Sequence, residues 1–108
     1  MTLTAKRALE AWDKTFETQD FSHLGAILSD SFNFIESNGH SQEKSETQEW
    51  ATAGIIRIGD FQIIRETESY MVGTHSASEE GKGPSTVMFY AEHSNGLITY
   101  WKTCRSFA

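Results

Sequence analysis

Cysteine is almost absent from this 108-residue chain, which has Cys104 alone. An internal disulfide is therefore excluded, and a reducing compartment is expected. Basic residues are sparse and scattered. Nine Lys and Arg face fifteen Asp and Glu, for a net charge of −6, and no basic run is longer than Lys6-Arg7. That balance excludes the basic patch that a nucleic-acid partner needs. No apolar run approaches the roughly 18 residues of a membrane span, and Met1–Arg7 holds no apolar stretch of the signal-peptide kind. The expected location is the cytoplasm. None of the four His residues (His23, His40, His75, His93) has a metal-ligand spacing, so no metal is expected. The P-loop, Rossmann and GxSxG patterns are missing too, and no cofactor is expected. There is no internal repeat, low-complexity tract or linker.

Aromatic residues, in contrast, are plentiful: seven Phe, three Trp and three Tyr, or 12% of the chain. Such rings fill cores, line pockets and stack on partners. A chain of this length builds one domain, residues 1–108, and buries roughly 65% of its unfolded surface.

The first half of the chain has helical periodicity. Ala5, Ala8, Leu9, Trp12 and Phe16 recur at three- and four-residue spacing, which predicts an amphipathic helix over 4–18 with Thr4 as N-cap. Asp20 is placed to cap a short second helix from Phe21 to Leu28, buried through Leu24, Ile27 and Leu28 and broken by Ser29-Asp30. A strand over 31–36 follows. Phe32, Phe34 and Glu36 share one of its faces, so one carboxylate is in line with two phenyl rings. Asn38-Gly39 marks a turn. A third helix over 41–53 is anchored by Trp50 and Ala53, with Ser45 and Gln48 fitting a capping box.

After Gly54 the pattern is one of antiparallel strands. Gly59-Asp60 reads as a turn, a bend is placed near Arg65, and residues 79–84 form a loop. Asn95-Gly96 predicts a type I′ hairpin between Ser85–His93 and Leu97–Phe107. In a regular ladder Tyr90 would face Trp101 and Met88 would face Thr103. Both faces of that hairpin are then apolar. One face would cover the helices and the other would meet a second subunit, giving a homodimer through the outer sheet face. The predicted architecture is α+β, with N-terminal helices packed into a curved antiparallel sheet.

The order helix, helix, short strand, helix, strand meander resembles the NTF2-like superfamily of cone-shaped α+β folds. That superfamily includes the SnoaL-like polyketide cyclases and the ketosteroid isomerases. The likeness is carried by Ala11-Trp12, Gln19-Asp20-Phe21, Ile27-Leu28-Ser29-Asp30 and the strand from Phe32 to Gly39. The resemblance implies a carboxylate base at the end of the first strand, where Glu36 stands. It also implies a Tyr in the first helix, and Trp12 occupies that position. The isomerases' second oxyanion donor would come from the strand holding Tyr90 and Glu92. No Asp occurs after Asp60, so the late-strand Asp of the isomerases and of the cyclases has no counterpart.

Two function classes remain open at this point. In one, a hydrophobic pocket binds a small apolar molecule, and Glu36 acts as general base of an isomerase, cyclase or hydratase with Trp12 or Tyr90 polarising the substrate. Burial beside Phe32 and Phe34 would raise the Glu36 pKa toward the working range of a base. In the other, Glu36 is a solvated residue at the rim of a non-catalytic binding or dimerisation module. The candidate lining residues are Trp12, Phe16, Phe32, Phe34, Trp50, Met88, Tyr90 and Trp101. An ordinary core is the plain alternative for the same rings.

Overall fold

The computed structural model describes residues 3–107. Helix α1 spans Ala5–Thr18, and its inward stripe is Ala5, Ala8, Leu9, Trp12, Thr15 and Phe16. Thr4 caps it through Oγ1, which accepts from the Arg7 N–H at 3.2 Å. Helix α2 is a single turn, Ser22–Gly25, opened by the Ser22 N–H donating to Asp20 Oδ1 at 3.0 Å.

The predicted second helix ends early because the sheet captures its C-terminal half. The Ile98 N–H donates to the Ile27 carbonyl at 2.7 Å, and strand β1 already runs from Leu28 to Ile35. Leu24, Ile27 and Leu28 are all buried, as the periodicity required. Strand pairing also shortens the third helix. Ser41–Glu43 forms β2 against β1, so α3 is Lys44–Ala51. Its capping box is Glu43 with Glu46, not Ser45 with Gln48, and Ala51 rather than Ala53 is buried.

Four long strands follow: β3 (Ile56–Glu66), β4 (Tyr70–Glu79), β5 (Ser85–Ser94) and β6 (Leu97–Phe107). The sheet order is β2-β1-β6-β5-β4-β3. The sheet is mixed, since β1 pairs with β6 in parallel; the other neighbours are antiparallel. The meander brings β6 back beside β1, a non-local pairing that local pattern does not show. Gly59-Asp60 is a bulge inside β3 instead of a turn, with Asp60 at φ 49°. A second register shift lies between Ile63 and Arg65, at the expected bend.

The β5–β6 loop is Asn95-Gly96, with φ of 56° and 79°. Positive φ at both positions is the type I′ geometry. Ser94 faces Leu97 as predicted, but a bulge follows. His93 pairs with Ile98 and Glu92 with Tyr100, so Thr99 is the extra residue. Beyond it every partner moves by one: Tyr90 faces Lys102, Met88 faces Cys104, and Trp101 lies opposite Ala91. The one-residue slip turns Trp101 inward, because side chains alternate with period two. Trp101 is 2% exposed.

The helices cover one face of the curved sheet. Asp13 on α1 is clamped by Arg57 on β3, with Nε to Oδ1 at 2.8 Å and Nη2 to Oδ2 at 2.9 Å. The Ile58 N–H adds a third bond to Oδ1 at 3.2 Å. The Arg57 guanidinium holds the Asp13 carboxyl below its usual pKa, against partial burial, with the Ile58 N–H assisting.

Candidate functional site

Between α1, α3 and the inner sheet face lies a cavity of about 250 Å³. Five aromatic side chains from four elements wall it: Trp12 and Phe16 from α1, Phe34 from β1, Trp50 from α3 and Trp101 from β6. Trp12 is the centre of this cluster. Its ring centroid is 5.8 Å from Phe16, 5.6 Å from Phe34, 6.2 Å from Trp50 and 5.4 Å from Trp101. Trp12 Nε1 is buried and has no hydrogen-bond partner among the described residues.

Three of the residues expected from the sequence are elsewhere. Phe32 is buried at 1% exposure but packs in the core away from the cavity. Met88 and Tyr90 are 51% and 36% exposed, on the outer face of β5. The period-two alternation of β5 decides this: Val87, Phe89, Ala91 and His93 point inward and are buried. The Tyr90 hydroxyl donates to Glu92 Oε2 at 2.7 Å, and its ring stacks on Tyr70 at 6.0 Å. Neither Tyr90 nor Glu92 lines the cavity, so neither can polarise a molecule held there.

The polar groups sit at two places. At the mouth, just past β1, are Glu36, Ser37 and Asn38. The Glu36 side chain is 39% exposed. Its Oε2 accepts from Gln42 Nε2 at 3.2 Å and lies 3.9 Å from His40 Nε2. Glu36 thus touches both the cavity and water.

The second polar group lies on the inner sheet face. His75 on β4 faces Val87 on β5, which faces Arg105 on β6. His75 is 7% exposed. Its Nδ1 lies 3.0 Å from the Ser76 carbonyl, which can only accept, so Nδ1 carries the proton. Nε2 is left with a free lone pair and no partner among the described residues. Burial pushes the imidazole pKa below its ordinary value, and the Arg105 charge adds to the effect against the Ser76 bond.

The Arg105 guanidinium donates from Nε to Ser85 Oγ and from Nη1 to Glu79 Oε1, both at 2.8 Å. It holds the Glu79 carboxyl below the usual range. Its remaining nitrogen, Nη2, is buried without a hydrogen-bond partner among the described residues. Sequence reasoning did not single out Arg105, because the Thr99 bulge decides which side of β6 faces inward. His75 had a usable signal. It is in phase with Met71, Gly73 and Ala77, the small or apolar inward positions of β4.

His93 does not join His75 in a site. Its Nε2 donates to the Thr67 carbonyl at 3.1 Å, where it braces the β3–β4 turn. Among the described residues no three His, Cys, Asp or Glu side chains are grouped to hold a metal ion. No helix among them is long and apolar enough to cross a membrane.

No protein-family model and no curated protein matches the chain. Solved structures do. An NTF2-like protein of unknown function from Cytophaga hutchinsonii superposes with a TM-score of 0.75 at 14% identity, over 98% of this chain and 93% of that one. The chain has the NTF2-like fold. A provisionally assigned ketosteroid isomerase from Kribbella flavida shares it, with a TM-score of 0.76 at 9% identity, over 94% of this chain and 78% of its own. An epoxide hydrolase of LEH-like type from M. tuberculosis matches at 0.70 and 18% identity, over 93% of this chain and 80% of its own.

Within this NTF2-like fold, Glu36 and Trp12 both line the cavity. The strand β5 contributes no polar side chain to that cavity. The polar wall is made instead by β4 and β6, through His75 and Arg105.

Proposed function

We propose that the protein binds a small, flat, largely apolar molecule in this cavity. One observation carries the reading. Five aromatic rings from four elements converge on an open space of about 250 Å³ instead of closing it. Pockets for small molecules are mostly apolar with a few placed polar groups, and this one has that composition. NTF2-like structures that include a provisionally assigned isomerase and an epoxide hydrolase lend support to small-molecule chemistry. All three tryptophans of the chain line the cavity, so indole emission reports directly on its occupancy. A saturable emission change on titration with a flat hydrocarbon such as indane is expected, and its loss in Trp50→Ala. An unchanged spectrum up to the solubility of the probe would remove the proposal.

A second reading adds catalysis to binding, with Glu36 as general base. Its support is the place of Glu36, which belongs to the cavity lining and has a partly exposed side chain, so that a proton taken from a bound molecule could pass outward. In that case Glu36→Gln abolishes turnover and leaves binding intact; a binding module keeps all its measurable properties in the same variant.

The outer sheet face is proposed to pair with a second copy of the chain. Tyr70, Tyr90 and Tyr100 form a ring row across β4, β5 and β6, with centroids 6.0 and 6.3 Å apart, beside the half-exposed Met88. Sedimentation at micromolar concentration tests this, and a species of 12.2 kDa would rule it out.

A further inference from the structure

We infer that the molecule this cavity takes is an organic cation, a flat apolar body ending in an ammonium group that lies against Glu36. The inference rests on the binding reading above and names the ligand class for it. Three features of the wall favour a positive charge. The first is Glu36. It belongs to the lining at the mouth, and its side chain is 39% exposed, so a ligand reaches it without entering the buried interior. The neighbours of its Oε2 are the Gln42 amide at 3.2 Å and the His40 ring at 3.9 Å, and neither carries a permanent positive charge. A carboxylate oxygen of Glu46 lies 4.0 Å from the same His40 nitrogen, so a second negative group stands within about 8 Å of the first.

The second feature is the ring wall. The face of an aromatic ring attracts a cation within about 6 Å of its centroid. Phe34 precedes Glu36 by two residues, roughly 7 Å along extended chain, and its centroid is 5.5 Å from that of Trp50. An ammonium at Glu36 therefore stands at the edge of the aromatic cluster, with the apolar body of the ligand beyond it. The third feature is that the positive charge of the wall is already spent. Arg105 Nη1 is 2.8 Å from Glu79 Oε1, and Nη2 is buried. An anion would pass Glu36 at the entrance and find no open cation inside. The net charge of −6 acts in the same direction at longer range.

The test uses four probes built on one ring system: indane, 2-indanol, 2-aminoindane and indane-2-carboxylate. Indane reports on the apolar cavity alone, and 2-indanol adds a polar group without charge. Dissociation constants come from shifts of the three indole N–H resonances in the folded chain at pH 7.5, where an alkylammonium is charged. In about 0.01 M salt 2-aminoindane should bind about fivefold tighter than 2-indanol, for one exposed ion pair and one cation–π contact, and the carboxylate should bind weakest. Raising the salt to about 1 M shortens the screening length from about 30 Å to about 3 Å, so that advantage should shrink while indane binding does not weaken. This series needs no variant. Indane should also displace 2-aminoindane, which puts both in the cavity. Glu36→Gln keeps the shape of the side chain and removes its charge. In that variant 2-aminoindane should lose most of its advantage and the carboxylate should recover; indane, which has no charge, should be unaffected. If 2-aminoindane binds no tighter than 2-indanol in low salt, if its advantage persists in Glu36→Gln, or if indane fails to displace it, the cation assignment is wrong and the apolar-pocket reading survives. If no probe moves an indole resonance, both fall together.

Discussion

Replacing Trp12 by Phe should leave stability almost unchanged, although Trp12 is the centre of the aromatic cluster. The substitution removes two buried ring carbons, a loss of about 1.6 kcal/mol at ~0.8 kcal/mol per buried carbon unit. A partly collapsed void adds up to about 1 kcal/mol at ~24 cal/mol per Å³. In the other direction, it deletes an indole N–H that is buried and has no partner among the described residues. Relieving such a group is worth about 1–3 kcal/mol. The two sides cancel to within about 1 kcal/mol. Trp12→Ala has no such compensation beyond the same N–H, and it empties a site that is 3% exposed. It should cost about 3–5 kcal/mol, the usual range for a buried aromatic. Thr15 gives a control with no change in volume. It is fully buried on the same helix, and its hydroxyl also has no partner among the described residues. Thr15→Val should stabilise by about 1 kcal/mol. Urea unfolding followed by far-UV circular dichroism, with m held constant across the series, supplies the values. A loss above about 3 kcal/mol for Trp12→Phe would refute the reasoning, because an N–H that costly to remove must be making a hydrogen bond.

Four further expectations concern stability and register. The Asp13 carboxyl is held below its usual pKa chiefly by Arg57, so its contribution is full above about pH 4 and is lost as pH falls through the lowered folded value; Asp13→Asn should flatten that acid limb in a thermal-melt series. Burial lowers the His75 pKa. The unfolded chain takes up its proton near pH 6.5 and the folded chain only lower down, so stability declines from about pH 6.5 downward, and His75→Phe should remove that slope. Gly73→Ala should cost about 1–3 kcal/mol or more in urea, since a Cβ there would run into the Gln62 carbonyl and crowd the Phe89 ring at 3.1 Å. Deleting Thr99 should leave Trp101 opposite Ala91, because His93–Ile98 and Glu92–Tyr100 then become consecutive pairs; nuclear Overhauser contacts between Trp101 and Phe89, now stacked at 5.0 Å, would vanish if the register moved instead.

Local signals were readable where a single period or a single turn residue governs the outcome. Helix α1 follows its apolar spacing residue by residue, and Asn95-Gly96 fixed the hairpin loop. The misread segments are those decided by pairing with distant chain. Leu28–Asp30 has a helical continuation on paper, but β6 takes it as strand. Ser41–Glu43 has cap-like chemistry and was drawn into a short strand by β1. The candidate site shows the same division. Trp12, Phe16, Phe34 and Trp50 reach the cavity by the expected periodicities. Trp101 reaches it only because Thr99 bulges out, and that same bulge presents Arg105 to the cavity. A bulge leaves no composition signal in this strand, since Thr99 is an ordinary strand residue. Met88 and Tyr90 share a face with Trp101 only in a regular ladder, in which Tyr90 faces Trp101 and Met88 faces Thr103; the Thr99 bulge puts Trp101 on the opposite face.

The open sheet has two free edges, and each is defended against addition of another chain. At one end stands β2, three residues long, too short to template an incoming strand. At the other is β3, eleven residues long, with Ile63 and Ile64 exposed at 37% and 61%. Such a length of unpaired backbone would invite edge-to-edge association if it were flat. Its two register shifts, at Gly59–Gln62 and Ile63–Arg65, break the run of evenly spaced donors and acceptors. Glu66 at its end is further occupied in accepting the Ala5 N–H at 2.7 Å. The irregularities of β3 therefore serve solubility. Regularising that strand, by removing Asp60 for example, would produce a smoother ladder and a more fibril-prone protein.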